Sequence, residues 1–120
     1  MITTFYIYVD GSDLDEIAPE LRARIDSFVV PYRGRVRVVD QRGEVGVSDD
    51  LPDWDLGVNF DLEALTPAER KDLLLFFQNL SGEFGRDFIL GGVLPQSQTD
   101  DFVAISAGES LDPAIALLCT

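Results

Sequence analysis

The sequence predicts an α+β fold, a mixed or antiparallel sheet with helices packed on one face. Three observations support it. β-Branched and aromatic residues alternate at 3–9 and again at 54–60, apolar residues recur at helical spacing at 18–29 and 73–80, and the two kinds of segment interleave with no Ser/Gly-rich linker between them. The length of 120 residues suits a single domain, 1–120, and 46% hydrophobic residues, eight Phe and three Tyr among them, supply a core.

Thr3, Phe5, Ile7 and Val9 alternate with Thr4, Tyr6 and Tyr8 as far as Asp10-Gly11-Ser12, which reads as a strand covered on both faces. Ala18, Leu21, Ile25, Phe28 and Val29 then recur every three to four residues opposite Glu20, Arg22, Arg24 and Asp26. Pro19 fits a first helical turn, so a turn at 12–17 leads into a helix at 18–30, which Pro31-Tyr32-Arg33-Gly34 ends. Val36, Val38 and Val39, the turn Gln41-Arg42-Gly43 and the run Glu44-Val45-Gly46-Val47 predict a β-hairpin over 35–48. After a polar loop comes a strand at 54–60 whose Trp54, Leu56, Val58 and Phe60 share a face.

Thr66-Pro67-Ala68-Glu69 combines an N-cap, a proline at the first helical position and a glutamate placed for a capping box. The helix it opens is expected to reach Leu80 and stop at Ser81-Gly82, with Leu73, Phe76, Phe77 and Leu80 inward. A strand at 88–94 bent by Gly91-Gly92, a strand at 102–105, and a short helix opened by Asp112-Pro113 follow, a final strand being the alternative for that last segment. The expected order is β-α-β-β-β-α-β-β plus the C-terminal helix, a ferredoxin-like arrangement.

The chain carries 22 Asp and Glu against 9 Lys and Arg, no histidine and one cysteine, Cys119, for a formal net charge of −13. That inventory excludes a His or Cys zinc centre, a Ser-His-Asp triad and an internal disulfide. Phosphate backbones and anionic lipids demand a contiguous positive surface, so neither nucleic acid nor membrane is expected as a partner. A basic protein surface is. Met1-Ile2-Thr3-Thr4 has no basic n-region and no apolar run approaches a membrane span, so a cytoplasmic location is expected.

Individual motifs add little chemistry. Asp49-Asp50-Leu51-Pro52-Asp53 spells the DDxxD string of magnesium-dependent terpenoid enzymes, but Pro52 interrupts it, the chain is too short for a prenyl cavity, and no nearby base would hold a pyrophosphate. Asp10 to Glu16 crowds oxygen ligands together without the glycine position or closing glutamate of an EF-hand, and reads as a strand-to-helix connection. Cys119 lacks a base, Lys71 lies mid-helix facing water, and Gly82, Gly85, Gly91 and Gly92 fit no phosphate-loop spacing. No cofactor, metal or catalytic residue is expected, since nothing marks two carboxylates as facing one another.

Charge is segregated along the chain. Residues 33–42 sum to +3, whereas residues 43–69 sum to −8 with no basic residue. Glu44, Asp49, Asp50, Asp53, Asp55 and Asp61 belong to this stretch, interleaved with Trp54. Two readings of Trp54 stay open. It turns inward with Leu56, Val58 and Phe60, or it anchors an interface through aromatic burial. Leu75 falls about 200° from Leu73 around its helix, on the side of Lys71 and Gln78. The terminal apolar segment is expected to cover it, and otherwise it marks a protein contact.

A small, acidic, His-free α+β domain of this kind resembles the immunity proteins of bacterial polymorphic toxin systems, of the contact-dependent inhibition and type VI secretion types, in size, charge and architecture. The strand Trp54-Asp55-Leu56-Gly57-Val58-Asn59 and the turn Phe84-Gly85-Arg86-Asp87-Phe88 look like signature segments. The resemblance implies a non-enzymatic, monomeric protein-binding module that occludes the basic groove of a cognate toxin. Asp49, Asp50, Asp53 and Asp55 would make the contact, with Glu44 and Asp61 at the rim and Trp54 or Leu75 as apolar anchor. The alternatives are a type III-like secretion chaperone, which would be an acidic dimer, and a small carboxylate-dependent enzyme.

Overall fold

The computed structural model describes residues 4–9, 16–42, 54–93 and 99–118. In chain order its elements are β1 (Thr4–Val9), α1 (Ala18–Val29) with a 3-10 turn at Val30–Tyr32, β2 (Val36–Arg42), β3 (Trp54–Asp61) with a 3-10 turn at Leu62–Ala64, α2 (Pro67–Phe84), β4 (Phe88–Val93), β5 (Thr99–Ile105) and α3 (Asp112–Leu118). Among the described residues the strands form one sheet in the order β2-β3-β1-β4-β5, and every neighbouring pair is antiparallel. Each long helix therefore joins two strands that have a third between them, which is the ferredoxin-like split β-α-β arrangement, with β5 added outside β4.

One core joins the helices to a single face of the sheet. Phe5, Ile7, Val9, Leu56, Val58, Phe60, Phe88, Leu90 and Ile105 from the strands are buried with Leu21, Ile25, Leu73, Leu74, Phe77, Leu80, Ala114 and Leu118 from the helices. The period-two alternation of β1 and β3 set this face, since every second residue must point the same way. α1 and α2 lie antiparallel, joined in sequence by an Arg24–Glu83 ion pair, a Phe28–Phe76 stack at 4.0 Å and an Arg35–Glu69 ion pair. α3 flanks α2 on its other side, where the Gln78 amide donates to the carbonyls of Ser106 and Glu109 and the Arg70 guanidinium donates to Leu118 O.

Among the described residues the partner of β2 is β3, in register from Val36↔Phe60 to Arg42↔Trp54, and Glu44-Val45-Gly46-Val47, the expected second strand of a hairpin, lies outside the described residues. Two expectations need correction. α2 passes through Ser81-Gly82 and ends at Phe84, where Gly85 adopts the left-handed conformation (φ 67°) that closes the helix with its N–H on Ser81 O. Ser81 and Gly82 interrupt only the apolar pattern, because they meet the β5–α3 turn. Ala107 N–H donates to Ser81 Oγ, and a Cβ on Gly82 would come 3.3 Å from the Ala107 methyl. On α2, Leu74 joins the buried face, whereas Phe76 sits half-buried against Phe28.

Candidate functional site

Strand direction decides where the charged connections lie. β1, β2 and β5 finish, and β3 and β4 begin, at the same end of the sheet, as the pairs Val9↔Phe88, Arg42↔Trp54 and Phe88↔Ile105 require. Connections 10–17 and 43–53 both leave from this end. Together they hold Asp10, Asp13, Asp15, Glu16, Glu44, Asp49, Asp50 and Asp53, and neither contains a lysine or arginine. The two other connections here, 85–87 and 106–111, add Arg86 with Asp87, and Glu109. Glu16, Asp87 and Glu109 are exposed.

The connections at the opposite end differ in sign. Its connections carry Arg33 and Arg35 at 30–35, Glu63 at 62–66, and no charge at 94–98. Arg35 Nη1 stands 2.9 Å from both carboxylate oxygens of Glu69. Glu69 also accepts the Thr66 backbone N–H at 2.9 Å, while Thr66 Oγ1 accepts Glu69 N–H at 3.2 Å, completing the capping box. The Thr66 N–H hydrogen bond first, and the Arg35 guanidinium second, hold the Glu69 carboxyl below its ordinary range. Arg35 lies over the Tyr32 ring at 5.3 Å from its centroid. Burial, with Asp72 and Glu69 nearby, pushes the Tyr32 hydroxyl pKa up, and Arg35 works against that shift.

Of the expected binding residues, Asp61 and Leu75 alone have side chains that the structure describes. Glu44, Asp49, Asp50 and Asp53 lie outside the described residues, and the sheet fixes only where their connection departs and returns. Trp54 and Asp55 open β3 opposite Arg42 and Gln41 in the register; their side chains also lie outside the described residues. β3 runs the length of the sheet between Trp54 and Asp61, roughly 23 Å at strand rise, and Asp61 Oδ1 accepts the Thr4 hydroxyl at 2.7 Å. Leu75 is 40% exposed, so the terminal segment does not cover it as expected. α3 inserts Ala114 and Leu118 into the core beside α2, leaving Leu75 on the helical layer, halfway along α2 and away from the acidic end.

Two features were missed from sequence. The acids of 10–17 read as a local connection, and only the strand order shows that this connection and 43–53 leave from the same end of the sheet. The second feature is the sheet face turned away from the helices. There the Tyr6 and Tyr8 rings stack at 4.7 Å, the Tyr8 hydroxyl donates to Asn59 Oδ1 at 2.7 Å, and the Tyr6 hydroxyl donates to Asp101. Tyr6 is only 4% exposed although it stands outside the core. Glycines floor the tyrosine pair: Tyr6 is paired with Gly91, Tyr8 with Gly57, and a Cβ at Gly57 would come 1.8 Å from the Ile7 carbonyl oxygen. The alternation of Tyr6 and Tyr8 was the available signal, but it looked like covered strand.

Among the described residues no cluster of three or more His, Cys, Asp or Glu is placed to hold a metal, and no helix is long and apolar enough to cross a membrane. The fold defines an α+β domain with two Asp- and Glu-rich connections leaving from one end of its sheet. No family model, curated protein or solved structure matches the chain.

Proposed function

We propose that the chain is a non-enzymatic protein-binding module, an immunity protein that neutralises a cognate bacterial toxin domain by laying its acidic end across the toxin's basic active site. One observation supports this above the rest: two connections holding eight carboxylates and no base depart from the same end of the sheet. Carboxylates concentrated in this way repel one another and favour a cationic partner, and their field acts mainly on the rate and selectivity of association. Blocking a groove that binds phosphates requires only that the acids occupy it.

The edge strands suit a monomer. Among the described residues β2 and β5 are the edges of the sheet, and a pairing of either with its own copy centred on exposed Arg37 or exposed Asp101 sets like charges together. Light scattering should therefore return the mass of one chain.

Co-expression with a panel of basic bacterial toxin domains tests the function. Growth protection against one of them, lost on the paired substitutions Asp50→Lys and Asp53→Lys, is the expected result. Protection that survives this reversal, with association rates indifferent to salt, would reject the acidic end as the binding surface.

A further inference from the structure

α3 rests on one stripe of α2. Arg70, Leu74, Gln78 and Ser81 follow at spacings of four, four and three residues, so they share one side of that helix, and the three polar ones all bond to α3 or to the turn before it. The attachments at its two ends are unequal. At the start, the Gln78 amide donates to Glu109 O at 2.7 Å and to Ser106 O at 3.3 Å, and Ser81 Oγ accepts Ala107 N–H at 3.1 Å. At the far end, among the described residues, one side chain bonds to α3: Arg70 Nη1 donates to Leu118 O at 2.9 Å, while its Nε donates to Leu62 O at 3.0 Å. Ala114 and Leu118 are buried, as is Leu74, midway between Arg70 and Gln78 on the stripe. Seven residues are too few for a helix to persist in water by itself, so α3 exists only while docked. Releasing it breaks no strand pairing, because β5 stays paired with β4.

We infer that α3 is a strap: it swings off α2 as a unit about the pinned turn before it, with the sheet intact, and Arg70 is the clasp that sets how often it opens. A guanidinium at the last carbonyls of a helix meets their unpaired oxygens and the negative end of the helix dipole, so this contact acts where the helix's own hydrogen bonds run out. Opening uncovers Leu74 next to Leu75, which is already 40% exposed, and so turns a single leucine into a wider apolar surface on α2. The device is independent of the acidic connections and of the proposed function.

Native-state hydrogen exchange on the full chain tests the strap. Corrected for intrinsic rates, the amides of Ile115 to Leu118 should share one protection factor, about tenfold or more below that of the slowest amides of β1 and β3, and depend little on low urea. Arg70→Met, which keeps the apolar stem, should speed the α3 amides about tenfold. Val36→Ala, in the core at the sheet edge remote from α3, should speed the β1 and β3 amides about tenfold and leave those of α3 unchanged. Amides of α3 that exchange no faster than those of β1 and β3, that follow them in Val36→Ala, or that lose protection residue by residue toward Leu118 as a fraying end does, overturn the strap. Unchanged α3 exchange in Arg70→Met overturns the clasp.

Discussion

The connections at the two ends of the sheet differ in charge. At the end where β2 begins, ions are spent on the fold: Arg35 grips Glu69, Glu69 caps α2 through Thr66, Arg70 donates to the carbonyls of Leu62 and Leu118, and Asp61 accepts from Thr4. At the other end, connections 10–17 and 43–53 hold acids with no base of their own. A protein optimised only for stability would intersperse the two signs, since concentrated like charge destabilises the compact state. The proposed binding surface rests on this asymmetry of sequence.

The most drastic way to break the comparison is to remove what separates the ends. β3 carries the chain from one to the other and passes β1 at Gly57, where any side chain would collide with backbone. Gly57→Ala should cost about 3 kcal/mol or more in urea unfolding, because neither strand can yield without breaking the ladder. Gly85→Ala, which meets nothing within 4 Å but needs positive φ, should cost only about 1 kcal/mol.

A matched pair of charge changes sharpens the contrast. Asp50→Lys with Asp53→Lys, and Asp61→Lys with Glu63→Lys, alter net charge equally but at opposite ends. Once a basic partner is in hand, stopped-flow kinetics should show the first pair slowing association about tenfold at low salt and the second changing it little. Equal slowing would mean that net charge alone attracts the partner and that position does not matter.

What the sequence revealed depended on whether the cause was local. The α2 start was legible because Thr66, Pro67 and Glu69 state a capping box within four residues, and the core face of β3 because Leu56, Val58 and Phe60 alternate. The length of α2 was not, since Ser81 and Gly82 look like a stop until Ala107 is seen against them. The acidic region was read as continuous along the chain from 43 to 69, but β3 carries Asp61 to the end of the sheet opposite Trp54. Register and strand order depend on pairings distant in sequence, so the tyrosine face with Asn59 and Asp101 could not be assembled by reading forward.

At the structural end the expected effects are smaller and concern stability alone. Thr66→Ala removes the hydroxyl that accepts Glu69 N–H and should cost about 1 kcal/mol in thermal or urea unfolding, with partner association unchanged.

The subtlest effect is a pH dependence at Glu69. Glu69→Gln keeps an oxygen able to accept the Thr66 N–H but loses the charge paired with Arg35. Because the folded protein holds this carboxyl below its ordinary range, ionised Glu69 stabilises the fold fully above the unfolded-state pKa, and the contribution is lost as pH falls through the folded value. The stability gap between the native chain and Glu69→Gln should therefore hold steady at neutral pH, narrow as pH drops through the carboxylate range, and close below it. Urea midpoints measured from neutral to acid pH check this. A gap that persists in acid would assign the effect of Glu69 to the shape of the cap, and the Arg35–Glu69 pairing would contribute nothing to stability there.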